Sequence, residues 1–560
     1  MRFGRAAARS LAPFRRAMAT RHVGSDLFDF TGGRFLFNEK KRLTERHVEF
    51  NVDGLAETVC NSTRRSLSEL TSITKLAEGG FNRMIEVSFS DGYTVLARIP
   101  YQKTTPKNLV IASEAATLFL LRSHGLPVPK VLGYSTTCHN PVGTEYVILE
   151  KVDGKPLGDQ WFSMTNKARL KIMSQIVDLE TKYMAIPFAA NGSLYHRKDL
   201  DSDALAVPID QSSASDDGGN DLVLGPTVKY EWWYQERASL DVNRGPWRGF
   251  SQCFEAPAKR EISYCQTYGK PRLHVNRYLR ELHGLKLHSP SDHIKLLNDY
   301  LKVSPYLELP DDHALARPVL RHPDLSPNNI IVNEENDIVG LIDWQHAVIL
   351  PLCLAASIPQ HFQNWGDPVS EKLTQPEVKL PPNFEQMEES EQEQIKETMR
   401  KRLVHFLYAA LTMKQNPSHF SCISETSLMT RAKLFSVASA PWEGDSLTLK
   451  NTLFAVCQNW PLNAIPIPSE PPIYYTTEEV AEATDLYAQE QEKLTELTEM
   501  KEYIGIDSVG WVPDDASLER AIQVRDTIKS ELLKHCESDL ETEATEHHFP
   551  FQDFEDDGDD

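Results

Sequence analysis

Two short segments decide the fold of this 560-residue chain: RHPDLSPNNIIV at residues 321–332 and GLIDW at residues 340–344. Each contains an apolar run typical of a strand, and the turn residues at 333–337 between them predict a β-hairpin. Such a hairpin would bring Asn329 and Asp343 to the same end of two paired strands. Amide and carboxylate oxygens at that end are ligands that Mg²⁺ prefers.

Asp324 lies on the loop just before the first strand of that hairpin, where it can accept a proton from an attacking hydroxyl. This set of residues suits phosphoryl transfer, which asks the protein for little covalent chemistry and for careful positioning of charge. We interpret His322 as an orienting residue that hydrogen-bonds the loop backbone. A hydrolase with Ser326 as nucleophile is a weaker alternative, because no Gly-x-Ser-x-Gly elbow surrounds that serine.

The pattern His322-x-Asp324-x-x-x-x-Asn329 resembles the catalytic loop of the aminoglycoside phosphotransferase family, and Asp343 resembles the metal-binding aspartate of that family. The resemblance implies an α+β, protein-kinase-like bilobal fold with a small antiparallel N-lobe sheet and a mainly helical C-lobe. An insertion and extra C-terminal helices would be added to it. The resemblance also implies ATP and Mg²⁺ as cofactors, Asp324 and His322 as catalytic-loop residues, and Asn329 and Asp343 as metal ligands.

The region before this loop predicts a small sheet of about five strands with one inserted helix. Gly79 and Gly80, between two of these strands, resemble an abbreviated form of the family's loop over the ATP phosphates. Arg98 stands where that family's strand lysine is expected, and Glu114 follows in the next helix. Together they resemble the ion pair that orients the α- and β-phosphates.

A later strand, predicted at 145–151, ends in the segment from Glu150 to Val152. This segment resembles the hinge whose backbone meets adenine. We therefore expect Glu150 and Val152 to belong to the nucleotide site.

Because Arg98 replaces the expected lysine, the sequence does not decide whether the protein is catalytically active. Arginine is a planar fork rather than a point charge, so it either binds phosphate through two hydrogen bonds or impairs catalysis. In the second case the protein would be a pseudokinase, a nucleotide-binding scaffold in mitochondria. An ordinary surface ion pair between Arg98 and Glu114 is a further alternative.

The predicted acceptor is a small hydroxyl-bearing molecule. No Ala-Pro-Glu motif or activation segment follows Asp343, because the chain runs directly into the apolar stretch 347–357. A docking platform for a peptide substrate is therefore not expected. Two amphipathic helices predicted at 477–503 and 515–535 either pack against the main body or bind a protein partner.

Residues 190–300 predict an insertion whose functional role the sequence leaves open. We interpret its tryptophans, such as Trp232 and Trp247, as packing it onto the lobe rather than forming a substrate wall. Residues 274–301 are predicted to be helical. The four histidines of this stretch lack a ligand-like pairing and are interpreted as solvated residues rather than a metal site: His274, His283, His288 and His293.

The net charge of −21 is unevenly distributed. Residues 1–24 carry six arginines and no acid, whereas residues 537–560 carry eleven acids and no lysine or arginine. The basic amphipathic start is typical of a mitochondrial transit peptide and predicts a matrix location. The acidic balance, with a pI near 5.4, argues against nucleic acid as a partner.

The eight cysteines are scattered without a Cys-x-x-Cys pair, so neither a disulfide framework nor a zinc site of that type is predicted. The longest apolar run is too short to span a bilayer, and no transmembrane helix is expected.

The predicted domain organisation has six parts. They are a transit peptide (1–24), an arm and helix (25–69), an N-lobe (70–152), a C-lobe with the insertion (153–460), a helical extension (461–536) and an acidic disordered tail (537–560).

Overall fold

The structure is a computed structural model that describes residues 25–201, 204–209, 221–377, 379–460 and 470–554. The predicted transit peptide at 1–24 lies outside the described residues, as do 555–560 of the predicted tail. The described chain combines β-strands in its first half with a mainly helical second half.

The strands of the described residues form five separate sheets, of which the largest has five strands. In chain order they are β1 (Arg34–Phe35), β2 (Leu70–Glu78), β3 (Asn82–Phe89), β4 (Thr94–Pro100), β5 (Val131–Ser135), β6 (Tyr146–Glu150), β7 (Lys155–Pro156), β8 (Ser193–His196), β9 (Val207–Pro208), β10 (Leu222–Gly225), β11 (Pro318–Arg321), β12 (Ile330–Val332), β13 (Ile338–Leu341), β14 (Val348–Pro351) and β15 (Trp511–Val512).

The α-helices of the described residues connect and cover these strands. They are α1 (Glu39–Arg46), α2 (Val52–Thr63), α3 (Lys107–Ser123), α4 (Asn166–Met184), α5 (Phe250–Thr267), α6 (Pro290–Leu307), α7 (Leu352–Ala355), α8 (Glu389–Gln415), α9 (Pro417–Ser424), α10 (Thr426–Ala438), α11 (Leu447–Gln458), α12 (Thr477–Ile504), α13 (Asp515–Lys534) and α14 (Asp539–His548). Among the described residues, none of the helices combines the length and the apolar character that spanning a bilayer requires.

The five-stranded sheet is antiparallel throughout, in the order β2-β3-β4-β6-β5. Successive side chains of each strand point to opposite faces of the sheet. On one face, Ile85 and Ala97 join a buried cluster that includes Leu55 and Val59 of α2. Residues of the opposite parity point to the other face, where Met84 pairs with Arg98 across β3 and β4. The expected small antiparallel N-lobe sheet is therefore confirmed, and its alternation directs Arg98 away from the α2 side.

The helical part of the chain is built around one extensive core, which confirms the expected helical C-lobe. Within it, α5 packs against α6 and α4 packs against α8. Trp232 and Trp247 of the insertion are each 3% exposed, and their ring centroids lie 5.2 Å apart. These two tryptophans therefore pack the insertion inward.

Two short antiparallel ladders hold the functional loops. Strand β11 pairs with β14, and β12 pairs with β13 as the predicted hairpin. Residues 322–329 connect β11 to β12, and residues 342–347 connect β13 to β14. Because β11 pairs with β14 and β12 pairs with β13, these two connecting loops lie side by side.

The C-terminal helices pack against the N-terminal arm. Strands β1 and β15 pair, and Leu36 and Phe37 share a buried cluster with residues of α12 and α13. The sequence predicted a disordered tail from 537, whereas the structure forms α14 and buries Phe549 and Phe551 in the same cluster. The phenylalanines explain the difference, because apolar burial can order a segment despite its acidic charge.

The helix predicted over 274–301 begins only at Pro290, with Ser289 as its N-cap. Gly284 and Leu285 adopt positive φ angles of 61° and 55°, which an α-helix does not accommodate. The prediction of solvated helical histidines is therefore wrong in this stretch. His274 and His293 are 5% and 4% exposed, and His274 lies outside the helix.

Candidate active site

The candidate active site is a cleft between the five-stranded sheet and the β12–β13 hairpin. The turn between β2 and β3, residues 79–82, is called the glycine turn below. The cleft is lined on the sheet side by Gly79 of this turn, Arg98, Glu114 and the predicted hinge, and on the other side by Asn329 and Asp343. The same cavity continues towards α8, α12 and α13.

Arg98 joins the two sides of the cleft. One guanidinium nitrogen pairs with Glu114 of α3, and Nη1 donates to Oδ1 of Asp343 at 2.9 Å. The side chains of Arg98 and Glu114 are 6% and 3% exposed, whereas that of Asp343 is 46% exposed. Burial lowers the pKa of Arg98, while the neighbouring Asp343 carboxylate opposes that effect. An ordinary surface pair between Arg98 and Glu114 does not describe this buried contact.

Asp343 adopts a left-handed backbone conformation, with φ of 65°. For a non-glycine residue this conformation costs energy and is maintained only where surrounding contacts hold it. The next residue, Trp344, is 1% exposed and packs its ring against His322 and Tyr183. The buried indole thus anchors the loop that turns the Asp343 carboxylate towards the cleft.

The loop 322–329 is held by short-range hydrogen bonds. The Nε2–H of His322 donates to the Ile342 carbonyl at 2.9 Å, and Nδ1 accepts the Asp324 N–H at 3.2 Å. Both bonds fit one neutral tautomer. Burial also lowers the pKa of His322 and favours that neutral form. His322 therefore connects the Asp324 loop to the residue before Asp343.

Asn329 fixes Asp324 from the other side. Its amide nitrogen donates to the main-chain carbonyl of Asp324 at 2.9 Å and to the Asp324 carboxylate at 3.1 Å. The backbone carbonyl of Asn329 accepts the Ile342 N–H at 3.0 Å, which continues the hairpin register. His361, which sequence reasoning did not identify, has Nε2 3.7 Å from Oδ1 of Asp324.

The glycine turn is tight and is fastened to the Asp343 loop. The Gly79 N–H donates to the Asn82 carbonyl at 2.9 Å, and the Asn82 amide bonds Gln345. A Cβ added at Gly80 would meet nothing within 4 Å, so that residue stands open. Phe81 packs its ring 5.6 Å from that of His346. Nothing in the local sequence around residue 82 signalled its contact with residue 345.

The predicted hinge lies at the end of the cleft. The Val152 N–H donates no hydrogen bond to a backbone carbonyl of the described residues. The Glu150 side chain turns away to accept hydrogen bonds from Arg122 and from the Lys130 N–H. Between the hinge and Arg98, aliphatic side chains lie on both walls of the cleft: Met84, Leu96 and Leu149 from the sheet and Ile331 and Ile342 from the hairpin.

The chain was compared with models of known protein families and with known proteins and structures. Residues 72–354 match the family described as phosphotransferase enzyme family. A "subtelomeric hrmA-associated cluster protein" of Aspergillus fumigatus is 32% identical over 516 residues, which cover 86% of this chain and 97% of that protein.

A second relative is "altered inheritance of mitochondria protein 9, mitochondrial" of Kluyveromyces lactis. It is 22% identical, with 87% of each chain covered. Among solved structures, the ADP-bound aminoglycoside phosphotransferase APH(2'')-Ib is 12% identical, with a TM-score of 0.34 and coverage of 72% of this chain and 96% of that one.

Proposed function

The chain belongs to the phosphotransferase enzyme family, and from this premise we propose that it transfers a phosphoryl group from ATP, with Mg²⁺, to a hydroxyl group of a small molecule. One observation carries the proposal: Arg98 of the sheet pairs both with Glu114 and with Asp343 of the hairpin loop. We further propose that the reaction takes place in mitochondria, as the name of the Kluyveromyces lactis relative and the arginine-rich residues 1–24 suggest.

The residues at the end of the hairpin fit a hard divalent cation. Asn329 uses its amide nitrogen for Asp324, so its amide oxygen is left to coordinate. Asp343 is partly exposed, and only one of its two carboxylate oxygens, Oδ1, accepts a hydrogen bond from Arg98. Asn329 and Asp343 would hold Mg²⁺, which when bound would offset negative charge on the phosphate groups.

The apolar end of the cleft suits the base of a nucleotide. Its walls carry aliphatic side chains on both sides, and the Val152 N–H is available as a donor at the rim. An apolar slot with a few fixed polar groups is the usual composition of a cofactor site. Arg98, fixed by Glu114, would meet the phosphates at the polar end.

Asp324 would act as the general base for the acceptor hydroxyl. Its carboxylate is exposed enough to meet an acceptor, while Asn329 orients the side chain and His322 holds the backbone. A base held in this way accepts the proton as the hydroxyl oxygen attacks phosphorus. The acceptor itself we propose only by class, as a small alcohol.

A second candidate function is a nucleotide-binding scaffold without catalysis. The specific observation in its favour is that Arg98, where the family's strand lysine is expected, is bonded to the proposed metal ligand Asp343. The contact of Asn82 with Gln345 would also hold the glycine turn down over the phosphate end of the cleft. In such a protein, Asp324 would be dispensable.

The direct test of the metal site is a thermal shift with ATP in the presence and absence of Mg²⁺. For the wild type we expect a larger rise of Tm with ATP and Mg²⁺ than with ATP alone, because a ligand that binds only the native state stabilises it. Asp343→Asn should lose the Mg²⁺-dependent part. The matched control is Asp337→Asn, in the turn of the same hairpin, which should retain it; equal shifts for wild type and Asp343→Asn would refute the assignment.

Genetic complementation with Asp324→Asn separates the two candidate functions. The enzyme proposal requires that this variant fails to rescue a deletion strain although it accumulates like the wild type. Full rescue would favour the scaffold.

A further inference from the structure

A second group of buried polar side chains lies outside the lining of the cleft, between the segment 272–290 and α12. The side chains of His274 and His283 are each 6% exposed, and that of Glu490 on α12 is 4% exposed. Nε2 of His283 lies 2.6 Å from Oε1 of Glu490, and Nε2 of His274 lies 3.9 Å from the same atom. One ligand atom from each residue lies within 4.8 Å of the other two.

His288 borders the same group. Its ring centroid is 5.0 Å from that of His283 and 6.2 Å from that of His274. Its Nε2 is buried and has no hydrogen-bond partner among the described residues. A buried imidazole nitrogen without a partner is costly, and the position of this one beside His274 and His283 leaves it free to serve as a further ligand.

Hydrogen bonds to main-chain groups hold the loop that carries His274, His283 and His288. Arg272 and His288 form a two-way bridge, with N···O distances of 3.1 and 2.8 Å. Nε of Arg280 donates to the His274 carbonyl at 2.9 Å and closes the loop across the bridge. The histidines are therefore supported by main-chain contacts that do not depend on a metal.

We propose that His274, His283 and Glu490, with His288 as the fourth ligand, form a structural zinc site that fastens the C-terminal extension to the C-lobe. Imidazole nitrogen together with a carboxylate suits Zn²⁺, whereas Mg²⁺ and Ca²⁺ favour sites made of oxygen. Four protein ligands without an open position are typical of structural rather than catalytic zinc.

The observed spacing is compatible with this ion. Tetrahedral ligands at about 2.0–2.1 Å from zinc lie roughly 3.3 Å from one another. The distances of 2.6 and 3.9 Å from Glu490 bracket that value, so small rotations of the side chains would complete the site.

The outer contacts of His274 also allow metal binding through Nε2. Its Nδ1 lies 3.0 Å from the Asn276 nitrogen and 3.3 Å from the Asn276 carbonyl oxygen. With Nε2 on zinc, Nδ1 carries the proton and donates to the Asn276 carbonyl, as ligating histidines commonly do. The hydrogen bond from the Asn276 N–H is then given up.

The test is the zinc content of the purified, tag-free full chain after desalting, measured by elemental mass spectrometry. We expect about one zinc per chain for the wild type. Glu490→Gln, which keeps the shape of the side chain but removes the charged ligand, should lose most of its zinc on desalting. The matched control is His535→Asn on the exposed end of α13, which should retain the full content. A wild type without zinc, or equal zinc in wild type and Glu490→Gln, would overturn the proposal.

Cobalt provides a second readout that needs no variant. The chain stripped of zinc by a chelator and titrated with Co²⁺ should show the visible absorption of a tetrahedral site with a one-to-one endpoint, and Zn²⁺ should abolish it. A purely hydrogen-bonded cluster gives no such band, and that result would also overturn the proposal.

Discussion

Arg98 is held by two carboxylates that differ in exposure. Glu114 is buried beside it, while Asp343 faces the cleft. A guanidinium can serve both, because its nitrogens point in different directions in one plane, whereas an ammonium is a single point charge. The arginine is therefore matched to this geometry, in which a single side chain joins the sheet, α3 and the hairpin loop.

Removing the guanidinium alone should be strongly destabilising. Arg98→Met leaves Glu114 buried without a partner, and we expect a loss of about 3–5 kcal/mol in the free energy of unfolding. The double variant Arg98→Met/Glu114→Leu should recover much of that loss, because no buried charge remains. Urea unfolding of the three proteins provides the measurement, and a double variant no more stable than Arg98→Met would contradict the buried pair.

Several site residues could be predicted from local sequence, and others could not. Asp324, Asn329 and Asp343 belong to two neighbouring segments joined by one hairpin, so their spacing in the chain nearly determines their proximity. His361 reaches Asp324, and Gln345 reaches Asn82, through contacts that depend on how whole lobes pack. A single sequence carries no local signal for such pairs.

The glycine turn between β2 and β3 contacts two other parts of the chain. Asn82 bonds Gln345, and the Phe81 ring lies 5.5 Å from Tyr230 and 5.6 Å from His346. The Phe81 carbonyl also accepts hydrogen bonds from the Tyr101 N–H and the Thr104 hydroxyl. These contacts connect the turn to the insertion and to the Asp343 loop at once.

Truncating the Phe81 ring should loosen this turn. In Phe81→Ala we expect faster amide hydrogen exchange at residues 79–82, because the aromatic contacts that hold the turn are lost. Tyr93→Ala, at the far end of the β3–β4 hairpin, is the matched control and should leave exchange at 79–82 unchanged. Identical exchange in wild type and Phe81→Ala would show that the backbone bonds alone hold the turn.

The elements themselves divide in a similar way. The antiparallel sheet, the β12–β13 hairpin and the helices α12 and α13 were predictable, because their periodicity is long and their ends carry turn or cap signals. The segment 274–289 was not, since its apolar residues imitate a helix while Gly284 and Leu285 take positive φ. His274 is buried by α12, a helix distant in the chain, and the local sequence therefore wrongly predicted solvated histidines in this segment.

In the described part of the chain, the N-terminal arm is joined to the C-terminal extension. The arm at β1 pairs with β15, and the Asn38 side chain accepts the Phe554 N–H at 2.9 Å. The proposed zinc site would add a third connection, between α12 and the C-lobe. A protein partner that binds the C-terminal helices remains a prediction, and it would have to use faces that this packing leaves exposed.

Acid should destabilise the whole chain through its buried histidines. Burial lowers the pKa of His293 to about 4, of His405 to about 4 and of His419 to about 3. Unfolded histidines titrate near 6.5, so below that pH the unfolded chain binds more protons than the folded one. The stability these neutral histidines contribute is therefore fully present above about pH 6.5 and is lost as the pH falls towards 4.

Three such groups give a slope of roughly 4 kcal/mol per pH unit around pH 5. Urea midpoints measured at several values between pH 7 and pH 5 should fall accordingly. His405→Gln should reduce the slope by about a third, while His139→Gln, at an exposed position, should not change it. A stability independent of pH in this range would contradict the burial of neutral histidines.

The central claim is that Asp324 enables transfer of a phosphoryl group to a small alcohol. The most direct measurement is ³¹P NMR of ATP and Mg²⁺ incubated with the purified chain and a small-molecule extract of mitochondria. We expect a new phosphoester resonance with the wild type and none with Asp324→Asn, although both proteins bind nucleotide. A resonance of equal strength with the two proteins, or none with either, would contradict the account.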